Sequence, residues 1–304
     1  ISWILLTGRA AYKIKKAVKF GNVLNFSTLE LRKKFCLKEV KLNRLLCGKM
    51  YQGVVKIVRT ENDYKLVKLD HVGTPLEFAV KMIEIPQKFR MDNLIDFNKV
   101  NNRMLDSLIE KLVEFHILAC TNNTISNFGR AQPMKAKIRE NFGTLCKLTK
   151  VDTIFEDSLN SFIKNNHDLF DQRIRLSRIR DIHGDLYLKN IFYVGEKFYM
   201  YDRIEFNDSL RYADIAEDVA HLAMDIDYHG REDLQTYFIS HYISKSNDTT
   251  LINMIHFMMC YKACVRAKVS LYRAAQLVNR NQKSKYIKEA KEHFRLARKY
   301  MKKF

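Results

Sequence analysis

The segment Ile182-His183-Gly184-Asp185-Leu186-Tyr187-Leu188-Lys189-Asn190 constrains this chain more than any other. It leads into an apolar run, Ile191 to Val194, then Gly195-Glu196-Lys197, then a second run, Phe198 to Tyr201, that ends at Asp202. The pattern predicts a loop, a strand, a turn and a returning strand. An Asp, an Asn five positions later and a second Asp at a strand end are the parts of a phosphoryl-transfer site. In that reading Asp185 orients an acceptor hydroxyl and takes its proton late. Asn190 and Asp202 hold Mg²⁺ on the phosphates of ATP, because both offer the hard oxygen donors that Mg²⁺ requires. The plainer reading is a set of acids that cap turns. A bare Asp-x₄-Asn is common by chance, and the hairpin that follows sets this one apart. His183 is expected to pack under the loop, and Gly184 to let the backbone turn tightly.

The rest of the chain supplies the frame. Its 304 residues are 47% apolar, enough for one large or two modest domains. With 10 Gly and 3 Pro there is no flexible linker composition. Residues 1–85 read as a small antiparallel sheet with one helix. They hold strand-like runs at Ser2–Leu6, Ala11–Lys15, Val54–Val58, Tyr64–Leu69 and Phe78–Ile85. Ser27-Thr28-Leu29-Glu30 predicts a helix start, with Leu31, Phe35, Leu42, Leu45 and Leu46 near one face. Residues 86–304 read as mainly helical, broken only by the signature loop and its hairpin. The last helix, about 283–302, shows an apolar stripe of Tyr286, Ile287, Ala290, Phe294, Ala297 and Met301. The fold class is therefore α+β.

Two strand lysines bear on a nucleotide. Lys13 and Lys15 point the same way from one strand, because strand period is two. An inward strand Lys can pair ATP phosphates if a helical acid holds it, and Glu39 lies on the following helix. Lys13 is the preferred choice and Lys15 the alternative. The connector after the last strand, Lys81-Met82-Ile83-Glu84, is expected to meet the adenine through its backbone. Downstream, Asp214, Glu217, Asp218, Asp225 and Asp227 form an acidic run. A second metal site is the sharp reading. The preferred one has Asp214 capping a helix, Asp218 tied to the catalytic-loop backbone, and Arg211 pairing with the acids. Asn207 and Asp208 are candidates to line an acceptor pocket.

At these residues the chain resembles the aminoglycoside phosphotransferase-like kinases, in particular an uncharacterised branch termed "aminoglycoside phosphotransferase family enzyme". The resemblance rests on Leu5-Leu6-Thr7-Gly8, Ala11-Tyr12-Lys13-Ile14-Lys15, Phe26-Ser27-Thr28-Leu29-Glu30 and Glu39-Val40-Lys41-Leu42-Asn43-Arg44. It continues through His183-Gly184-Asp185-Leu186, Ile204-Glu205-Phe206-Asn207, Asp218-Val219-Ala220 and Val265-Arg266-Ala267-Lys268. It implies a protein-kinase-like two-lobe fold and ATP-dependent phosphorylation of a hydroxyl. It also implies Asp185 as catalytic acid/base, Asn190 and Asp202 as metal ligands, and Lys13 with Glu39 as the nucleotide pair. Two departures stand out. The family's phosphate-covering hairpin loop would precede Ile1, so the fragment is expected to bind ATP less well than the full protein. Arg203 follows the metal Asp, where family members carry a small or apolar residue.

The acceptor is expected to be a small molecule. Protein kinases carry His-Arg-Asp where this chain has Gly184, and only about eleven residues follow Asp202 before the next helix, too few for an activation segment. The net charge of +19 keeps a nucleic-acid partner as an alternative, although no arginine–aromatic motif accompanies it. A further alternative is a nucleotide-binding regulator with weak turnover. Six Cys without a Cys-x-x-Cys pair point to reduced thiols in a cytoplasmic protein. His256, Cys260 and Cys264 repeat at one-turn spacing, but a straight helix spreads them too far to share one ion easily. No apolar run approaches the ~20 residues that span a bilayer. The opening Ile1-Ser2-Trp3-Ile4 lacks the basic start of a signal peptide and reads as a strand already under way, so residues upstream are expected.

Overall fold

The computed structural model describes residues 1–21 and 23–304. They form two compact units: Ile1–Phe97 with Lys189–Leu210, and Asn98–Leu188 with Arg211–Phe304. The expected boundary near residue 85 thus falls inside the first unit, which also takes in the hairpin after the signature loop.

The first unit is built on a five-stranded antiparallel sheet. Its strands are β1 (Ser2–Leu6), β2 (Ala10–Lys15), β5 (Tyr51–Arg59), β6 (Tyr64–Lys68) and β7 (Pro75–Ile83), ordered β1-β2-β7-β5-β6. Two short strands, β3 (Lys19–Phe20) and β4 (Leu24–Asn25), pair before helix α1 (Leu29–Cys47), and α2 (Met91–Asp96) closes the segment. Thr28 caps α1, its Oγ1 accepting from the Leu31 N–H at 3.3 Å. The helix packs on β7 and β5. Its buried face differs from the expected leucine stripe: Arg32, Cys36, Glu39, Val40, Asn43, Leu46 and Cys47 point inward, while Leu45 is 71% exposed. Polar side chains occupy the inner face because each finds a partner there. Glu39 meets two lysines, and Asn43 accepts the Arg203 N–H at 2.9 Å. The unit ends with the hairpin β9 (Ile191–Val194) and β10 (Lys197–Met200). Gly195 and Glu196 turn it with φ of 55° and 61°, as a two-residue turn matched to strand twist demands.

The second unit is helical: α3 (Asn102–Leu118), α4 (Asn123–Ser126), α5 (Ala131–Leu148), α6 (Ile154–Asn165), α7 (His167–Arg175), α8 (Ala216–Tyr228), α9 (Glu232–Ser246), α10 (Ile255–Ala275) and α11 (Arg280–Met301). Two three-residue strands, β8 (Ile179–Asp181) and β11 (Tyr212–Asp214), pair antiparallel and bracket the signature loop in sequence. The core runs along α8, which is almost wholly buried, and the first half of α10, with α11 laid on α10. The inner face of α11 is Ala290, His293, Leu296, Ala297 and Tyr300, rotated from the expected stripe. Tyr300 wins an inward place because its hydroxyl donates to Asp227 at 2.5 Å. Phe294 sits at the margin, stacked on Phe155. No helix among the described residues is long and apolar enough to cross a membrane.

Candidate active site

The predicted site residues fall in both units, and each unit has its own geometry. In the first, Lys13 and Lys15 project from the same face of β2 toward α1. Glu39 joins them: its Oε1 accepts from Lys13 at 2.8 Å and its Oε2 from Lys15 at 2.6 Å. Lys13 also pairs with Asp202, and Lys15 with Glu205. Five charges thus form one chain, Asp202–Lys13–Glu39–Lys15–Glu205. Burial works against the Lys13 ammonium, but Asp202 and Glu39 outweigh it and hold its pKa well above the usual lysine range. Lys15 is raised in the same way by Glu39 and Glu205 against burial. Burial, with Glu39 next to it, raises the Glu205 carboxyl. Both strand lysines therefore reach Glu39, and the sequence alternatives are two links of one array. Glu205 joins this array and the Tyr51 hydroxyl accepts from the Asp202 N–H; sequence reading gave neither a role.

A cavity of ≈300 Å³ opens at the Lys13 end of this array. Ile4, Leu6, Ala11, Met50, Tyr51, Met82, Phe192 and Tyr201 give it apolar walls, with Lys13 and Asp202 as its charged end. That size and character suit a small ligand with one polar end. Met82, Ile83 and Glu84 line it, whereas Lys81 pairs with Tyr12 across the sheet and lies outside the lining. The Glu84 carboxylate has a second task. Its Oε2 accepts from the N–H groups of Thr7 and Gly8 at 3.0 and 2.8 Å, fixing the β1–β2 turn where Gly8 has φ of 83°.

Asn190 and Asp202 stand at the open end of the β9–β10 hairpin. The Tyr201 N–H donates to the Asn190 carbonyl at 2.9 Å, extending the ladder by one step. Asp202 turns out of it in the left-handed region, φ 64°, with its N–H on the Tyr51 hydroxyl at 3.2 Å. A carboxylate residue tolerates that conformation better than a branched one. Its side chain is 41% exposed, the most accessible member of the charge chain. Arg203 is buried, with its backbone on Asn43. Asn207 and Asp208, expected near an acceptor, are engaged inside this unit: Asp208 pairs with Lys38 at 2.6 Å and Asn207 caps Ser209.

In the second unit, α8 holds the loop that carries Asp185. Asp218 accepts from the N–H groups of His183 and Gly184 at 2.8 and 2.9 Å. Seven residues on, Asp225 accepts from the Leu188 N–H at 2.9 Å. Two turns of one helix face thus clamp both ends of the loop. Burial would raise Asp218, but bonds from His116 and His183 keep it low and ionised. The other acids are equally occupied. Asp214 makes a two-pronged pair with buried Arg173 and accepts from the Ala216 N–H. Glu217 lies between Lys137 and Lys262 at 2.7 and 2.8 Å. Asp227 holds Lys299 and Tyr300. The acidic run is accordingly a set of structural ties. Arg211, expected to join them, pairs with Asp181 at 2.6 Å. His183 is buried beneath the loop. A larger opening of ≈560 Å³, against Phe162, Arg175, His256 and Lys303, contains none of the predicted site residues.

Comparison with solved structures decides the fold. The structure is similar to a Plasmodium vivax ethanolamine kinase, with TM-score 0.51, 13% identity, and coverage of 97% of this chain and 82% of that one. It is also similar to a choline kinase from Cryptosporidium parvum, with TM-score 0.50, 10% identity, and coverage of 100% and 89%. The chain has a kinase-like fold. The two-lobe α+β architecture implied by the sequence resemblance is the one observed. In sequence, the chain is 32% identical over 279 residues to an uncharacterised protein of Mycobacterium tuberculosis, covering 90% of this chain and 54% of that protein. The chain thus spans about half the length of the curated relatives it matches. No family model matches.

Proposed function

We propose that this chain is an ATP- and Mg²⁺-dependent kinase that moves the γ-phosphate to a hydroxyl of a small molecule, and that it belongs with the aminoglycoside phosphotransferase-like kinases. The observation that carries the reading is the Lys13–Glu39–Asp202 array at the charged end of the ≈300 Å³ cavity. Lys13 neutralises phosphate oxygens while Glu39 holds it in place. The Met82–Glu84 segment, which lines the cavity, receives the base through its backbone. Asp202 and Asn190 are hard oxygen donors that fit Mg²⁺, and Asp202 is accessible to it. When bound, the ion neutralises charge on the phosphates. Asp185 orients the acceptor hydroxyl and takes its proton. The two structural likenesses are named for ethanolamine and choline, which favours a small acceptor here too. Six cysteines, none in a disulfide among the described residues, suit a cytoplasmic protein.

The test is a metabolite-extract screen for radiolabelled phosphate transfer from ATP, run with wild type and Asp185→Ala. Transfer by wild type, its loss in Asp185→Ala and retained nucleotide binding are the expected outcome. Nucleotide binding without transfer across a broad panel of hydroxyl compounds points to a regulator instead. Tight, salt-sensitive RNA binding that Asp202→Ala leaves intact points to a nucleic-acid partner.

A further inference from the structure

Asp218 and Asp225 clamp the loop from one face of α8, and a third residue of that face touches the loop differently. His221 lies three residues after Asp218 and four before Asp225, so it shares their side of the helix. It is 2% exposed, and neither ring nitrogen makes a hydrogen bond among the described residues. Its ring stacks on Tyr187, with centroids 5.4 Å apart and planes 11° apart. Its Nδ1 stands 3.7 Å from Oδ1 of Asp185. That is too long for a hydrogen bond, yet a shift of under ~1 Å closes it. Hydrogen bonds to catalytic groups are commonly long before the reactants bind and tighten afterwards.

The charge state of the ring fits a donor. The groups that face it are His183, Asp185 and Tyr187 from the loop, Lys262 and Arg266 from α10, and His293 from α11, besides Asp218 and Asp225 on its own helix. Burial, then Lys262 and Arg266, push its pKa well below the ordinary value, so it stays neutral with one N–H. A buried N–H without an acceptor is costly, and Asp185 offers one.

We propose that His221 is a positioning residue for Asp185: its Nδ1–H closes on Oδ1 and turns Oδ2 toward the acceptor hydroxyl. The inference rests on the proposed role of Asp185. As the acceptor oxygen bonds to the γ-phosphorus and the bond to the ADP oxygen breaks, the hydroxyl proton passes to Asp185. The imidazole gains and loses none.

The test uses the full chain, with ATP turnover to water in the presence of Mg²⁺ as the kinetic probe and nitrogen NMR of the imidazole as the structural one. His221→Phe keeps a ring on Tyr187 but removes the donor; His221→Asn keeps a donor near the Nδ1 position but removes the ring. Expected are a kcat about tenfold lower for His221→Phe with KM for ATP unchanged, and a kcat near wild type for His221→Asn. The acid limb of the kcat–pH profile moves up in His221→Phe, because a carboxylate that loses a donor is protonated more easily. The NMR arm expects the Nδ1-protonated tautomer, with a resonance that moves in Asp185→Asn. Wild-type turnover in His221→Phe, or impairment of His221→Asn without the Phe variant, overturns the inference. Where turnover is too slow to read, an Nε2-protonated ring that ignores Asp185→Asn overturns it alone. If Asp185→Asn turns over ATP like wild type, the proposed function fails instead.

Discussion

At the scale of single residues, the two strand lysines separate by what each would leave behind. Lys13→Met takes the lysine partner from Asp202, which is partly exposed, while Glu39 keeps Lys15. The variant should fold normally and lose affinity for Mg–ATP by about tenfold or more, as removal of a charge-assisted contact predicts. Titration calorimetry reads that loss. Lys15→Met leaves Glu205 buried without its cation, and a broken buried pair costs ~3–5 kcal/mol. Urea unfolding should show that cost. Lys13, Lys15 and Glu39 were legible because strand alternation and a following helix put them on facing surfaces. Glu205 and Tyr51 were not, because their partners lie far away in sequence, at Lys15 and Asp202.

At the scale of elements, the signature loop is held by α8. Asp218→Ala removes the acceptor of two backbone N–H groups at once. Each orphaned buried donor costs ~1–3 kcal/mol, so the loop should loosen where it carries Asp185. Hydrogen exchange at His183 and Gly184 should quicken, and transfer should fall while nucleotide affinity holds. Helix existence was readable from apolar spacing, and the preferred reading of Asp218 as a tie to the loop matches its bonds. Helix orientation was less readable. On α1 and α11, ion pairs and a tyrosine hydroxyl turn polar side chains inward and displace the apolar stripe. β8 and β11, three residues each, are too short for period-two alternation to show.

At the scale of the whole molecule, Glu217 binds three helices. It sits on α8 and meets Lys137 of α5 and Lys262 of α10. Burial would raise its carboxyl, but the two lysines bring it down to about 2. A depressed folded value means stability that is present above the unfolded value of ~4.3 and is lost as pH falls toward the folded one. Glu217→Gln should therefore be less stable than wild type at pH 7, by ~3–5 kcal/mol. The gap should narrow between about pH 4.5 and pH 2, where wild type becomes protonated too. Thermal melts across that range check the sign.

The discontinuity of the first unit constrains how the gene can be divided. Residues 1–97 alone would carry Lys13, Lys15 and Glu39 but neither Asp202 nor Glu205, which enter from 189–210. Two cations would then share one carboxylate in an apolar setting. Such a fragment is expected to be insoluble when produced by itself. Supplying the remainder of the chain as a second polypeptide is expected to restore it.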